Sequence, residues 1–244
     1  GPLAVSRDGT PLVIGGPRPR LLLTRLLVAR NRVVPVDTLI DDQWADDVPR
    51  SARNTLQGYV SGMRKVLGAD APIVLDSVGY RIEVADDAVD VRRYERLVES
   101  ARLRADTDPA AALAALEEAA AMWTGPPLVE VADHDWARGE IGRIDELAAF
   151  AGELRAETLT AVGREAEAIG VLELLLRSDP YREQLTVLLA RALYRAGRQT
   201  EALRVIDRTA DRLRDDLGLT AGPALLDLQG AILRHDPALS APPA

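Results

Sequence analysis

The side chains best suited to recognising a ligand lie between residues 50 and 65. This stretch combines arginine, lysine, asparagine, glutamine and serine, and it contains no acidic residue. Arginine and lysine bind phosphate groups, whereas asparagine and glutamine read adenine edges in the DNA major groove. These residue types predict a surface that contacts DNA, formed by Arg50, Arg53, Asn54, Gln57, Ser61, Arg64 and Lys65.

One helix over residues 50–67, ended by Gly68, must position these side chains. Its apolar residues recur at helical spacing, and at about 100° per residue they form one stripe. The stripe predicts a core-facing side opposite the polar candidates. An ordinary solvated surface helix is the alternative interpretation, because basic residues are common on such helices as well. The residues of the apolar stripe are Leu56, Tyr59, Val60, Met63 and Leu67.

Two further helices and two short β-hairpins are predicted around this helix. The helices cover residues 21–28 and 38–44, and Asp37 is expected to be the N-cap of the second. The segment between them, residues 33–36, is expected to be an extended link. The two hairpins have strands over residues 3–5 and 12–14, and over residues 73–75 and 80–82.

This order of strands and helices is typical of a winged helix. Arg81 follows the turn of the second hairpin, and it is expected to be the wing cation that touches a phosphate or the minor groove. Asp76 lies in the same turn. Its negative charge is expected to weaken the contribution of the wing to binding.

The composition argues against an enzyme or a metalloprotein. The 244 residues include no cysteine, and the two histidines, His134 and His235, lack partners at zinc-ligand spacing. No glycine-rich phosphate loop and no serine nucleophile elbow is present. We interpret the pairs of neighbouring acidic residues as solvated charges in loops, and not as metal ligands or acid–base pairs. We therefore expect no catalytic activity, no cofactor and no metal ion.

No membrane association is expected either, because no apolar run approaches the roughly 20 residues of a spanning helix and no signal peptide opens the sequence. We therefore expect a cytoplasmic protein.

The charge is distributed unevenly along the chain. The formal net charge is −8, but residues 1–84 hold 11 Lys and Arg against 9 Asp and Glu, whereas residues 85–244 hold 19 against 29. This split predicts two domains with different partners, a winged helix over residues 1–84 and a helical domain over residues 85–244.

An internal repeat appears in the second half. Gly163-Arg164 recurs as Gly197-Arg198, a shift of 34 residues, and Glu167-Ala168 recurs as Glu201-Ala202 on the same shift. A 34-residue helix-turn-helix period is the signature of a tetratricopeptide (TPR) repeat. A generic helical bundle with chance similarity is the alternative. The predicted fold class is therefore mainly α, a winged helix with small β-hairpins followed by an all-α, TPR-like domain.

Both halves resemble the Streptomyces antibiotic regulatory protein (SARP) family. The first half is similar to the family's DNA-binding domain at residues 1–5, 50–57, 59–61, 64–68 and 79–81. The second half is similar to its bacterial transcriptional activation domain at residues 90–91, 94, 123–128, 181–183 and 193–198. Gly62, where the family tends to have a bulkier or basic residue, and Asp76 depart from the pattern.

The resemblance implies a sequence-specific transcriptional regulator, and more specifically an activator. It implies binding as a homodimer to direct repeats in double-stranded promoter DNA, with contacts to RNA polymerase and its sigma factor. An acidic segment between the second and third helices suits a basic polymerase surface, although a solvated loop is an equal alternative. Its acidic residues are Asp41, Asp42, Asp46 and Asp47.

Two other interpretations stay open. In one of them, the chain is a TPR-type adaptor whose winged helix contacts only other proteins. In the other it is the N-terminal part of a larger regulator that continues into an ATPase or a phosphopeptide-binding domain. The adaptor interpretation predicts no salt-dependent DNA binding, and this separates it from the regulator interpretation.

Overall fold

The structure is a computed structural model, and it describes residues 1–68, 72–122 and 125–239. It contains two compact units, one formed by Gly1–Glu95 with Met122–Asp145 and the other by Arg96–Ala121 with Glu146–Ala244. The first unit thus includes residues from both domains expected from the sequence. The domain boundary that the sequence predicts after residue 84 is a different division of the chain from these compact units, and it stays a prediction. Within the described part of the chain, no helix has the length and apolar character needed to cross a membrane.

The first unit begins with a small β-hairpin. Strands β1 (Ser6–Arg7) and β2 (Thr10–Pro11) pair antiparallel across a two-residue turn. Asp8 and Gly9 in this turn have φ angles of 49° and 77°. Positive φ at both central residues is the geometry that joins two twisted strands by the shortest loop. The turn was predicted correctly, but the strands lie closer to it than expected.

Three helices follow, and Leu22, Leu39 and Leu56 anchor one each in a shared core, with exposed fractions of 0%, 1% and 1%. The first ends where Arg30 and Asn31 adopt positive φ angles of 53° and 62°. Asparagine adopts this left-handed conformation more readily than most residues do, which suits Asn31 to the end of a helix. The helices are α1 (Pro17–Val28), α2 (Val36–Trp44) and α3 (Ala52–Leu67).

The start of α2 differs from the prediction. Pro35 occupies the N-cap position with φ −57°, and no side chain caps the helix. Asp37 lies in the first turn instead of at the cap, so its predicted capping role is wrong. Its carboxylate still favours the helix, because an acidic group near the N-terminus complements the helix dipole. It is also free to pair with a neighbouring side chain.

A three-stranded antiparallel sheet completes the winged helix. Its order is β3 (Val34–Pro35), β5 (Gly79–Ile82), β4 (Ile73–Leu75). The link expected at residues 33–36 therefore contains a strand. Gly79 allows it to pair, because a Cβ there would lie 1.9 Å from the carbonyl oxygen of Val34. Only glycine lets the two backbones approach this closely.

The rest of the chain is mainly helical, as the sequence predicts for residues 85–244. Asp108 caps the helix that begins at Pro109, since its Oδ1 accepts a hydrogen bond of 3.0 Å from the backbone N–H of Ala111. Residues 123 and 124, which carry part of the family resemblance, lie outside the described part of the chain. The helices are α4 (Asp90–Arg104), α5 (Pro109–Ala121), α6 (Asp135–Ala161), α7 (Glu165–Ser178), α8 (Glu183–Arg195), α9 (Gln199–Leu217) and α10 (Pro223–Leu233).

The 34-residue repeat is present as a repeated turn in the second unit. Gly163 and Gly197 have φ angles of 78° and 76°. The backbone N–H of Arg198 donates to Leu193 at 2.8 Å, and that of Arg164 makes the same 2.8 Å bond to Leu159. The two turns therefore share the same left-handed glycine and the same backbone hydrogen bond.

The packing of the repeat is also duplicated. Ala168 and Ala202 are both 0% exposed, so a larger side chain would keep the paired helices apart. Leu172 and Ile206 fill equivalent core positions at 1% exposure each. The predicted fold class, a winged helix followed by a helical domain, is confirmed.

Candidate nucleic-acid interface

Helix α3 has one buried and one exposed side, as its sequence predicts. Leu56 and Val60 are 1% exposed and Met63 is 3% exposed. Tyr59 of the predicted stripe is half-buried and packs against the same core. The core therefore fixes the rotation of α3 about its axis, and with it the direction in which the polar side points.

The polar side of α3 is open to solvent. Two glycines lie along it, and nothing lies within 4 Å of where a Cβ on Gly58 or Gly62 would stand. A flat, polar helix side of this kind is accessible to another macromolecule. The predicted site residues of α3 that the structure places there as exposed side chains are Arg53, Asn54, Gln57, Ser61, Arg64 and Lys65.

Arg50 is exposed, but it does not belong to the helix. The helix begins at Ala52, whose backbone N–H donates to the carbonyl of Pro49 at 2.9 Å in the preceding turn. The expected start of the helix at Arg50 is therefore wrong. Arg50 and Ser51 are the central residues of this turn, and so the helix begins only after them.

Arg53 has an acidic partner that does not come from α3. Its Nη2 lies 2.5 Å from the Oδ1 of Asp37, and the two side chains are 63% and 80% exposed. The polar side of α3 is free of acidic residues in sequence, but α2 supplies one in space. The sequence does not predict this pair, because the two residues lie on different helices and the carboxylate of Asp37 is expected at a helix cap.

The other end of α3 is held by two arginines. The Nε of Arg64 donates to the carbonyl of Ile73 at 2.8 Å, which ties the helix to β4. The guanidinium of Arg7 donates to the carbonyls of Leu67 and Val66, which the helix leaves without intrahelical partners. Arg64 thus has a structural contact besides the phosphate contact predicted for it, and the role of Arg7 was not predicted.

The positive charge of Arg81 in the wing is neutralised by neighbouring carboxylates. The guanidinium of Arg81 lies 2.8 Å from the Oδ2 of Asp76 and 2.6 Å from the Oε1 of Glu83. Hydrogen bonds from the backbone N–H and hydroxyl of Ser77 lower the pKa of Asp76, and Arg81 lowers it further. Asp76 is therefore firmly ionised. At the tip, Val78 is 62% exposed.

The acidic segment divides into two parts. Asp46 and Asp47 are exposed in the loop after α2, and Asp41 is exposed within α2 itself. The expected placement of the whole segment between the two helices is therefore wrong for Asp41 and Asp42, because α2 continues to Trp44. Asp42 is different, because its Oδ2 accepts a hydrogen bond of 2.8 Å from the Nε of Arg25, and its side chain is only 13% exposed. Burial raises the pKa of Asp42, and Arg25 opposes that shift. Its carboxylate is therefore used inside the first unit.

A cluster of four ion-paired side chains fixes α1 within the first unit. Arg30 lies at the end of α1 and bonds to Glu95 of α4 and, at 3.2 Å, to Glu140 of α6. Arg143 lies 2.5 Å from Glu95 and 2.7 Å from Glu140. The hydrogen bonds that Arg30 donates to the carboxylate of Glu95 raise the pKa of Arg30 well above its usual value. Helix α1, which ends beside this cluster, also packs against α3.

Family comparisons match both parts of the chain. The model described as "Transcriptional regulatory protein, C terminal" matches residues 10–82. The model described as "Bacterial transcriptional activator domain" matches residues 89–233. These matches account for the winged helix and for the helical repeat respectively.

Curated relatives include DnrI, a regulatory protein of Streptomyces peucetius, with 32% identity over 98% of this chain and 92% of its own length. EmbR, a transcriptional regulatory protein of Mycobacterium tuberculosis, is 36% identical over 97% of this chain. The chain spans 63% of EmbR. AfsR, a regulatory protein of Streptomyces coelicolor, is 36% identical, and the chain spans 24% of its length.

A solved structure is also similar. It is described as M. tuberculosis EmbR in complex with a low-affinity phosphopeptide, and it superposes with a TM-score of 0.89 at 33% identity. The match covers 98% of this chain and 66% of the EmbR chain.

Proposed function

The chain belongs to the SARP family of transcriptional regulators, and on this premise we propose that it binds promoter DNA sequence-specifically and activates transcription. The observation that carries the proposal is the open polar side of α3, which presents Asn54 and Gln57 beside basic residues on a helix anchored in a core. A helix of this width fits the major groove of B-DNA.

Within this proposal the side chains of α3 have two roles. Asn54, Gln57 and Ser61 lie along the middle of the exposed side and contact base edges, which gives sequence discrimination. Lys65 at one end of the helix and Arg50 in the turn before it contact phosphates. Such contacts set position and affinity but carry no sequence information.

Binding as a pair to direct repeats follows from the small size of one interface. A single winged helix with a few phosphate contacts binds weakly at physiological salt. Two linked copies on adjacent sites convert the second binding event into an intramolecular one, which raises the apparent affinity. In this proposal the helical domain joins the two subunits.

The acidic segment supplies the contact with RNA polymerase and its sigma factor in this proposal. Asp41, Asp46 and Asp47 are exposed and suit a basic protein surface. Asp42 is excluded from this role because Arg25 and burial hold it inside the first unit. Its contribution is to keep α2 seated on α1.

The test begins with selection of binding sites from a random duplex library, followed by fluorescence anisotropy over a range of salt concentrations. We expect the logarithm of affinity to fall linearly with the logarithm of salt, and Lys65→Ala to make the slope shallower by about 0.9. Arg208→Ala, on an exposed position of α9, is the matched control and should leave the slope unchanged.

The opposite result has a clear meaning. If the protein binds no duplex at low salt, the winged helix serves protein contacts and the TPR-type adaptor is the better description.

A further inference from the structure

Two of the candidate interface arginines are bound to carboxylates in the free protein. Arg53 is paired with Asp37 at 2.5 Å, and Arg81 is paired with Glu83 at 2.6 Å. Asp76 also contacts Arg81, at 2.8 Å. Each carboxylate occupies a position on a guanidinium where a DNA phosphate would otherwise bind, because both groups accept the same forked hydrogen bonds.

These acids come from the elements that surround α3. Asp37 lies in the first turn of α2, and Glu83 directly follows β5 in the wing. Both are well exposed, with side-chain exposed fractions of 80% and 47%. They therefore add negative charge at the edges of the surface that α3 presents.

The remaining basic residues of the surface are different. Within residues 1–68, 72–122 and 125–239, no carboxylate pairs with Arg50 or Lys65. The interface thus contains two kinds of cation, those ready to meet a phosphate and those that must first leave an intramolecular partner.

We propose that Asp37 and Glu83 act as internal competitors for phosphate, which weaken binding to DNA of any sequence. This inference rests on the proposed function. Non-specific binding is supplied almost entirely by phosphate contacts, so the two pairs limit how tightly the protein holds arbitrary DNA. A complex with the selected site must break the same pairs before Arg53 and Arg81 reach phosphates, so its affinity is lowered by a similar factor.

The size of the effect follows from the exposure of the pairs. An exposed ion pair is worth a factor of about 1.5 to 5 in an equilibrium constant, because water and salt screen it. Each acid also repels the phosphates that lie within the roughly 8 to 10 Å screening length. The two contributions act in the same direction.

The test compares Asp37→Asn and Glu83→Gln with the unsubstituted protein on a random-sequence duplex and on a selected site. Each substitution removes a charge while keeping the size of the side chain. We expect affinity for both duplexes to rise about 1.5- to 5-fold per substitution, so that the ratio of specific to non-specific affinity stays unchanged. The salt dependence should steepen by up to about 0.9 for Asp37→Asn, which frees Arg53, and by less for Glu83→Gln, because Asp76 still pairs with Arg81.

A charge-matched control separates local pairing from net charge. Glu201 forms an equally short ion pair, 2.7 Å, with Arg198 in the second unit. Glu201→Gln should leave both affinities unchanged, and an equal rise would overturn the inference in favour of a general charge effect. In an Arg53→Ala background, the gain from Asp37→Asn should shrink, because the competitor no longer has an arginine to hold.

The outcomes distinguish this inference from the function on which it rests. If the protein binds its selected site but neither substitution changes the affinity for random DNA, the competitor role is wrong and the proposed function stands. If no variant binds any duplex, both are wrong.

Discussion

Asn54 and Gln57 are the residues on which sequence readout depends in the proposed complex. They lie one turn apart on the open side of α3 and are exposed. Each amide group makes a pair of hydrogen bonds with an adenine edge, which discriminates against other bases. Their role differs in kind from that of the cations beside them.

We expect Asn54→Ala to lower affinity for the selected site by about 1 to 3 kcal/mol while affinity for random DNA changes little. The slope of affinity against salt should stay the same, because no phosphate contact is lost. Competition binding with the selected site and with single-base variants of it measures this. An equal loss on both kinds of DNA would assign Asn54 to the backbone instead.

Residue identity predicted which side chains reach the surface, but not which partners they meet. The exposure of Asn54 and Lys65 follows from spacing along one helix, which a sequence displays directly. The pairing of Arg53 with Asp37 joins residues of two helices, and that of Arg81 with Glu83 depends on the path of a strand. Neither pairing has a local sequence pattern.

At the scale of an element, α3 contains two glycines that its own fold does not require. Gly62 has open space where a Cβ would stand. Gly79 in β5 is the opposite case, because a Cβ there would meet the carbonyl oxygen of Val34 at 1.9 Å. The same substitution thus has opposite consequences in the two elements.

We expect Gly62→Ala to stabilise the protein by about 0.5 to 1 kcal/mol, because alanine loses less conformational entropy in a helix than glycine does. Gly79→Ala should destabilise it severely, since β3 and β5 would have to separate. Urea denaturation followed by circular dichroism compares the two variants. A loss of stability in Gly62→Ala would mean that α3 packs against something on its open side.

The elements themselves differ in how far sequence predicted them. Helix α3 and the repeated turns of the second unit follow from periodicity and spacing within the segment itself. Strand β3 was missed, because two residues make too short a pattern and the strand with which it pairs, β5, lies more than 40 positions away. The start of α2 was missed because a proline, and not an aspartate, occupies the N-cap.

At the scale of the molecule, the ion-paired cluster makes the stability of the first unit depend on pH. Burial alone would raise the pKa of Glu95 and of Glu140, but hydrogen bonds and charges from Arg30 and Arg143 outweigh it and hold both values below the usual one. A carboxyl with a lowered pKa in the folded state stabilises that state above its unfolded pKa of about 4.5. This stabilisation is lost as pH falls through the lowered value.

We therefore expect the midpoint of thermal unfolding to drop as pH falls from about 5 to about 3, and to drop less in the double variant Glu95→Gln, Glu140→Gln. Glu173→Gln, on an exposed position of α7, should leave the size of the drop unchanged. Calorimetry at several pH values measures it. An identical drop in the double variant would assign the acid sensitivity to other carboxyls.

This cluster could not be found by reading the sequence. Arg30 and Glu140 are separated by 110 positions, and nothing in the composition of α1 marks Arg30 as different from the other arginines near it. The packing of α4 and α6 beside α1 is what brings Glu95 and Glu140 to Arg30.

The first unit is assembled from two stretches of chain, Gly1–Glu95 and Met122–Asp145, with residues of the second unit between them. A ribosome releases these stretches in order, so Arg30 leaves the exit tunnel long before Glu140 is synthesised. The winged helix therefore spends part of translation without the acids that will hold α1. A protein truncated at residue 84 would keep that unfinished state permanently, with Arg30 facing water instead of Glu140. Arg25 would lose the ring of Trp136 but keep its ion pair with Asp42.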